Sequence, residues 1–376
     1  MKRVLFGVDS FFQFIIATNL RTTVYKDDYV GVIFYSSTPR AKELYENTRN
    51  KLVFNEVYYA DTSLAKCGKS YSFINKFPKY FVFLGSLVNP EFFLTRMLSV
   101  SLSSSYDEFI YNGYGALPEC IFNVCYHNNK NIKCKRIEDA YASYFTVYNS
   151  KKNGARRCLE IISKYILKRK DIDEYVNGYY FSEPSMVMVK MPYPIIPAPK
   201  FGRHNNNLIC FLNDVFDYKA SFTPEKKIYL FEDGLCFFEN REDEVDIIEY
   251  ISHFIPKESI AVKMHPRRTE SRYDKIGVEA IKASSVPWEV IQLNNNYSGC
   301  IFLTFSSSAV FSSDIYFGDD CYKILLYKLL KGSSSFIDTK FESYVRKYRE
   351  RFGSDYLYIP ESYNELKDIL LRLISK

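Results

Sequence analysis

The sequence predicts an α/β protein of two doubly wound units, each a parallel sheet covered by helices on both faces. Three observations predict it. Short, continuous apolar runs alternate with amphipathic segments along most of the chain. One proline-rich, polar interval, KMPYPIIPAPKFGRHNNN (190–207), interrupts that alternation, which then resumes. The length, 376 residues, exceeds what one small core serves.

In the first half, VLFGV (4–8) reads as a strand and FFQFIIATNL (11–20) as the helix after it. YVGVIFY (29–35) leads into the helical TPRAKELYENTRNKL. VFNEVYYA and KYFVFLGS (79–86) read as strands, a helix is expected around 90–103, and DEFIYNGYG (107–115) reads as another strand. The interval 190–207 reads as a connector, not a core element. Beyond it KIYLFEDG is a strand, EDEVDIIEYISHFI a helix and SIAVKMHP a strand. WEVIQL, CIFLTF, CYKILLY and YLYI are expected as further strands, and ESYNELKDILLRLIS closes the chain as an amphipathic helix. The expected arrangement is two such units facing each other across a cleft. The first is expected over 1–255, with an excursion around 185–222, and the second over 256–376.

Composition narrows the function. A hydrophobic fraction of 47% fits a globular protein and argues against wholesale disorder. The net charge of +6 is mild and does not by itself indicate nucleic acid, so no nucleic-acid partner is expected. The basic runs KKNGARRCLEIISKYILKRK (151–170) and RKYRER (346–351) read either as solvated helix faces or as attraction to an anionic membrane surface or an anionic substrate. Nine cysteines without a CxxC pair fit a reducing compartment, hence a cytoplasmic location. The basic and apolar start resembles a signal peptide, but Asp9, Ser10 and Gln13 interrupt it, and a first strand and helix is the better reading. No run of 18 apolar residues marks a membrane span.

In open α/β sheets ligands bind beyond the carboxyl ends of the strands, so those positions carry the functional reading. Glu232-Asp233-Gly234 follows the strand YLF. Neighbouring strand side chains point to opposite faces, so one carboxylate is expected to face the ligand while structure holds the other. A carboxylate in a partly apolar cleft is a candidate general base, and a plain acidic turn is the alternative. VKMHPRR (262–268) places Lys263 and His265 at a second strand end, with Pro266 stopping the strand and Arg267 and Arg268 adding positive charge for an anion. CIFLTFSSSAVF ends a third strand in Ser306, Ser307 and Ser308 before an apolar helical pattern. Serines there either cap that helix or offer hydroxyls and backbone N–H groups to a phosphate. No GxGxxG or Walker lysine motif is present.

EDG, then HP, then a serine pair resembles the motif series of bacterial sialyltransferases, most closely glycosyltransferase family 52, which includes lipooligosaccharide sialyltransferases. VPWEVIQL is similar to a further segment of those enzymes, although Trp288 stands where relatives often have a smaller residue. The resemblance covers about residues 226–315 and, loosely, 1–60. It implies a two-domain GT-B fold and inverting transfer of sialic acid from CMP-sialic acid to a terminal galactoside of a lipooligosaccharide or capsule, with no metal and no other cofactor. It implies Asp233 as general base supported by Glu232, and His265 on the donor phosphate. Lys263 and Pro266 would border the cytosine, Glu289 would hold the ribose, and Ser306, Ser307 and Ser308 would bind phosphate. Gln13, with Asp9 and Ser10, would line a sugar site. Expected partners are the nucleotide sugar, the glycan acceptor, the inner membrane face as a peripheral contact, and a second copy as homodimer. Another sugar donor, nucleotide or glycan binding without catalysis, and binding of an anionic polymer through the basic helices are the competing readings.

Overall fold

A computed structural model describes residues 1–35, 39–61, 89–97, 100–102, 104–113, 116–146, 169–222, 225–233, 242–265, 270–281, 285–330 and 339–375. The expected strand at 79–86, Gly234, Pro266 to Arg268 and most of the basic segment 151–170 lie outside them. The chain divides into two units: 1–184 with 189–199, and 185–188 with 200–376.

The first unit is built on a seven-stranded parallel sheet, order β3-β2-β1-β4-β5-β6-β7. Its strands are β1 (Arg3–Val8), β2 (Tyr29–Phe34), β3 (Glu56–Tyr59), β4 (Glu108–Tyr111), β5 (Lys133–Ile137), β6 (Val176–Phe181) and β7 (Ile195–Pro197). Val4, Leu5 and Phe6 are wholly buried, which is why β1 reads as a continuous apolar run and not an alternating one. The helix Phe11–Thr22 starts where Ser10 accepts a hydrogen bond from the Gln13 N–H, an N-cap worth about 1 kcal/mol. The helix expected around 90–103 is short: Pro90–Phe92 continues as one π-helical turn to Met97.

The second unit carries a six-stranded parallel sheet, order β10-β9-β8-β11-β12-β13. Its strands are β8 (Ile228–Phe231), β9 (Ile260–Lys263), β10 (Glu279–Ala280), β11 (Ile301–Thr304), β12 (Tyr322–Leu325) and β13 (Leu357–Tyr358). Its core joins Ile228, Leu230, Val262 and Leu303 to the helices over them. The last helix, Tyr363–Ile374, buries Leu366, Ile369, Leu370 and Leu373, the spacing of a single apolar stripe.

Three expectations need correction. The units divide near residue 200 rather than 255. The reason is pairing: β8 hydrogen-bonds to both β9 and β11 and is the centre of the second sheet. The 190–207 interval is more than a connector, because Ile195–Pro197 pairs in parallel with β6 as an edge strand. Proline is tolerated at an edge, where its missing N–H breaks no ladder. WEVIQL is a helix, Trp288–Asn294, with Pro287 at its N-cap. Trp288, Val290, Ile291 and Leu293 are all buried in it, so its apolar residues cover too much of the surface for a period-two reading to be reliable.

Candidate functional site

Both sheets change winding direction once. In the first, β1, β2 and β3 run outward one way and β4 lies on the other side of β1. In the second, β8, β9 and β10 run one way and β11 lies on the other side of β8. Crevices for ligands open at the carboxyl ends of such switch points. The sequence-predicted residues fall into two groups, one at each switch point.

In the second unit, register sets the site. Phe231 is level with Lys263 of β9 and with Thr304 of β11. The residues that follow these three therefore emerge at one edge. Asp233 turns toward β11: its Oδ2 accepts the Ser306 N–H at 3.1 Å and its Oδ1 the Ser306 hydroxyl at 3.3 Å. Glu232 turns the other way, where Oε1 accepts the Arg272 N–H at 3.3 Å. Both carboxylates are buried, at 4% and 2% exposure for Asp233 and Glu232.

Burial pushes the Asp233 carboxyl up to about 8, and the negative charge of Glu244 adds to the rise. The two bonds from Ser306 and the charge of Arg272 hold it back. Glu244 is fully buried and pairs with Arg272 Nη1 at 2.6 Å. Asp233 thus titrates near neutrality, where a carboxyl group can take up or release a proton.

Lys263 is the last residue of β9 and is buried, its Nζ donating to the Met264 carbonyl at 3.1 Å. Its charge reaches Glu289, in the first turn of the helix Trp288–Asn294. Burial raises the Glu289 carboxyl, while that residue's own N–H and Lys263 lower it. His265, two residues past β9, is half-buried. Ser307 and Ser308 are half-buried too; the Ser307 N–H donates to Thr304 Oγ1 at 2.9 Å, which fixes the turn. The apolar pattern after the serines forms a four-residue 3-10 turn, Ser308–Phe311, and then a π-helical turn, in place of the expected helix. Such a turn brings no helix dipole, so only hydroxyls and backbone N–H groups remain for an anion there.

In the first unit, Asp9, Ser10 and Gln13 gather around the end of β1 with Asp139, which follows β5. Gln13 Nε2 donates to Asp139 Oδ2 at 3.0 Å, and Ser10 Oγ to Asp139 Oδ1 at 3.1 Å. The Asp9 N–H donates to Gln13 Oε1 at 2.9 Å.

Sequence reasoning missed Glu244, Arg272 and Asp139. A signal existed for Glu244: with Ile247, Ile248 and Ile251 it completes the i, i+3, i+4, i+7 pattern of a buried helix face. Asp139 follows KCKRI, whose three cations hide the strand.

No protein-family model and no curated protein matches the chain. Solved structures do match in fold. The calicheamicin glycosyltransferase is 11% identical with a TM-score of 0.54, over 100% of this chain and 90% of that one. The glycosyltransferase of kitacinnamycin is 11% identical with a TM-score of 0.54, over 100% of this chain and 91% of that one. An α/β-galactoside α-2,3-sialyltransferase from the marine bacterium Photobacterium phosphoreum is 11% identical with a TM-score of 0.52, over 96% and 98%. With its two parallel-sheet units, the chain has a glycosyltransferase-like GT-B fold of two Rossmann-like domains.

Proposed function

We propose that the chain is an inverting glycosyltransferase that moves sialic acid from CMP-sialic acid to a terminal galactoside of a bacterial surface glycan. The observation that carries this reading is Asp233, a buried carboxyl at the β8/β11 switch point, held by Ser306 and titrating near neutrality. It follows Phe231, which is level with Lys263 of β9 and Thr304 of β11, so Asp233, His265 and the serines each come just after one of three level strand positions.

In this reading the acceptor hydroxyl oxygen attacks the anomeric carbon while its proton passes to ionised Asp233. The bond from that carbon to the phosphate oxygen breaks, and CMP leaves with the electron pair. A sugar hydroxyl is a poor nucleophile, so proton removal during attack is where a base contributes, typically about 10²–10⁴-fold. His265 and the hydroxyls of Ser307 and Ser308 stabilise the growing phosphate charge. Lys263 and Pro266 border the cytosine, and Glu289 accepts from the ribose hydroxyls. Glu232, fixed by the Arg272 N–H, keeps the strand end in place. This reading calls for no metal.

The acceptor belongs to a lipooligosaccharide or capsule chain at the inner face of a membrane. No helix among the described residues is long and apolar enough to cross one. The basic run 346–351 lies in the helix Thr339–Phe352, where Arg346, Arg349 and Arg351 are exposed. Sedimentation with anionic vesicles that is lost at high salt is the expected behaviour; no sedimentation at low salt removes the membrane from the proposal.

The deciding experiment incubates the protein with CMP-sialic acid and a panel of galactosides, read by mass spectrometry. A mass gain of one sialyl residue is expected. Transfer from UDP- or GDP-sugars instead, or no reaction of CMP-sialic acid, overturns the donor assignment.

A further inference from the structure

We propose that Thr304 is a positioning residue of the second unit's site: its hydroxyl clamps the end of β8 to the serine turn and so sets Asp233 against Ser306. This deepens the sialyl-transfer reading and rests on it only for which reaction is measured.

The sequence poses the question. In IFLTF (301–305) every residue is wholly buried, and Thr304 is the one polar member. A valine would fill nearly the same space with no hydroxyl to satisfy. The hydroxyl is used twice. Thr304 Oγ1 donates to the Phe231 carbonyl at 3.1 Å and accepts the Ser307 N–H at 2.9 Å. A hydroxyl has one proton, and an amide can only donate to it, so the directions of both bonds are fixed.

Phe231–Thr304 is the last pair of the β8–β11 ladder, so past it the ladder no longer aligns the two backbones. The clamp begins at that point. The peptide group between Phe231 and Glu232 is held from both sides: its carbonyl by the Thr304 hydroxyl, its N–H by the Lys263 carbonyl of β9 at 3.1 Å. Thr304 is anchored in its turn, because its own carbonyl accepts the Leu326 N–H, just past β12, at 2.8 Å. Four neighbouring strand ends, β9-β8-β11-β12, are thereby tied in a row. The bond from the Ser307 N–H closes a turn over Phe305 and Ser306.

Asp233 lies two residues past Phe231, and Ser306 two past Thr304. The bonds from the Ser306 N–H and hydroxyl to the Asp233 carboxylate, at 3.1 and 3.3 Å, therefore need both backbones to leave the sheet in one register. Thr304 is wholly buried, so it acts through Asp233 and not on a substrate. Two consequences follow from loosening it. Donors to a carboxylate favour its ionised form, so a Ser306 set free leaves Asp233 harder to ionise. The base also meets the acceptor hydroxyl from a wider spread of positions, which slows proton removal.

Thr304→Val and Thr304→Ser separate the hydroxyl from the packing. The valine variant keeps the volume and loses both bonds; the serine variant keeps the hydroxyl and loses a methyl. With CMP-sialic acid and a galactoside, Thr304→Val is expected to lower kcat by about ten- to a hundredfold. It should also move the midpoint of kcat/KM against pH up by about 0.5–1 unit. Thr304→Ser is expected to return kcat to within about threefold of wild type and to return the midpoint. Serine as impaired as valine, with the midpoint unmoved in both, would make Thr304 packing alone and overturns the proposal. Two readouts need no substrate. In the wild-type chain the Ser307 amide is expected to exchange with solvent at least about a hundredfold more slowly than in a free peptide. Free-peptide exchange there overturns the clamp with no variant and so with no question of folding. The second is melting temperature against pH. A carboxyl raised in the folded state loses stability as pH rises to its folded value and no further, so wild type levels off above about 8. Thr304→Val should go on falling to about pH 9 while Thr304→Ser follows wild type. A protected Ser307 and a shifted melting profile without turnover of CMP-sialic acid keep the clamp and lose sialyl transfer. Turnover that Thr304→Val leaves unchanged in rate and midpoint keeps the transfer reading and loses the clamp.

Discussion

At the β1/β4 edge the polar side chains are Asp9, Ser10, Gln13, Asn112 and Asp139. At the β8/β11 edge they are Glu232, Asp233 and Ser306, and the next strand adds Lys263 and His265. The strand geometry is the same in both: a parallel sheet winds one way, reverses, and leaves strand ends open at the reversal. The charge is not. In the second unit a cation on β9 acts on Glu289, and an Arg272–Glu244 pair acts on the buried acid. In the first unit Asp139 is met by the amide of Gln13 and the hydroxyl of Ser10. The backbone decides where a ligand can lie; the residue just after each strand decides which charge is tolerated there.

The sharpest way to break the comparison is to make the second edge resemble the first by removing its titrating acid. Asp233→Asn should lower kcat by at least about a hundredfold while CMP affinity stays within about threefold. Unchanged turnover removes Asp233 from the chemistry. The same variant has a stability signature. The folded-state carboxyl titrates near 8 against an ordinary 3.8, so the folded chain holds the extra proton and wild-type stability falls as pH rises between those values. Asp233→Asn should therefore gain melting temperature relative to wild type as pH rises from about 4 toward 8 and level off above it, and a constant difference across pH 5–9 would contradict the shift.

His265→Ala removes the positive-capable group that the first edge lacks. Loss of a charge-assisted bond of about 1.5–3 kcal/mol should weaken CMP binding by about 10–150-fold in calorimetry. Normal CMP affinity together with normal kinetics would place the phosphate elsewhere.

Glu244→Gln sharpens the electrostatic half of the argument. Asp233 acts ionised, so kcat/KM should rise with pH to a plateau above about 8. Without the Glu244 charge the midpoint should move down by about 0.5–1 pH unit. A midpoint that stays put would make burial the whole cause.

The smallest effect concerns support. Arg203 makes two bonds to Asp319, at 2.6 and 2.5 Å, and two to the Gln292 carbonyl, at 3.2 and 3.1 Å. Gln292 in turn donates to Asp319 and accepts from Ser312. This network anchors the helix whose first turn carries Glu289. Arg203→Met should raise the donor KM about three- to tenfold with kcat little changed, whereas an equal fall in kcat would mean the network serves the chemistry directly.

The sheets were legible where burial on both faces leaves a strand almost wholly apolar, as in VLFGV, IYLF and IFLT. They were illegible where a strand keeps long polar side chains: Lys135 of β5 pairs with Glu108 at 2.6 Å and Arg136 with Asp173 at 2.6 Å, so its charges are satisfied inside the fold but read as surface. The boundary error has the same root. A run of local patterns shows that β8 is a strand, but only pairing with β11, some seventy residues on, shows which sheet it centres. For the site, the strand-end residues could be named because their position follows from local pattern. Their tuning partners, Glu244 and Arg272, are brought in by tertiary packing that no short window records.

The route of the chain near residue 185 has a consequence for synthesis. Residues 185–188 count with the second unit, and 189–199 return to complete the first. Two of those four residues are held by the helix Thr339–Phe352: Lys347 Nζ donates to the Val187 carbonyl and Arg351 Nε to the Ser185 hydroxyl, 160 and 166 positions apart in sequence. A ribosome therefore releases β6 as a bare edge until β7 has emerged, and the segment leading to β7 waits for its anchors until almost the whole chain is out. An amino-terminal fragment ending at 184 would keep that edge open for good, with unpaired backbone groups ready to recruit another chain. One ending at 199 would close it. The shortest first unit worth expressing alone is thus set by an edge strand of three residues, Ile195–Pro197, and not by the end of the compact run before it.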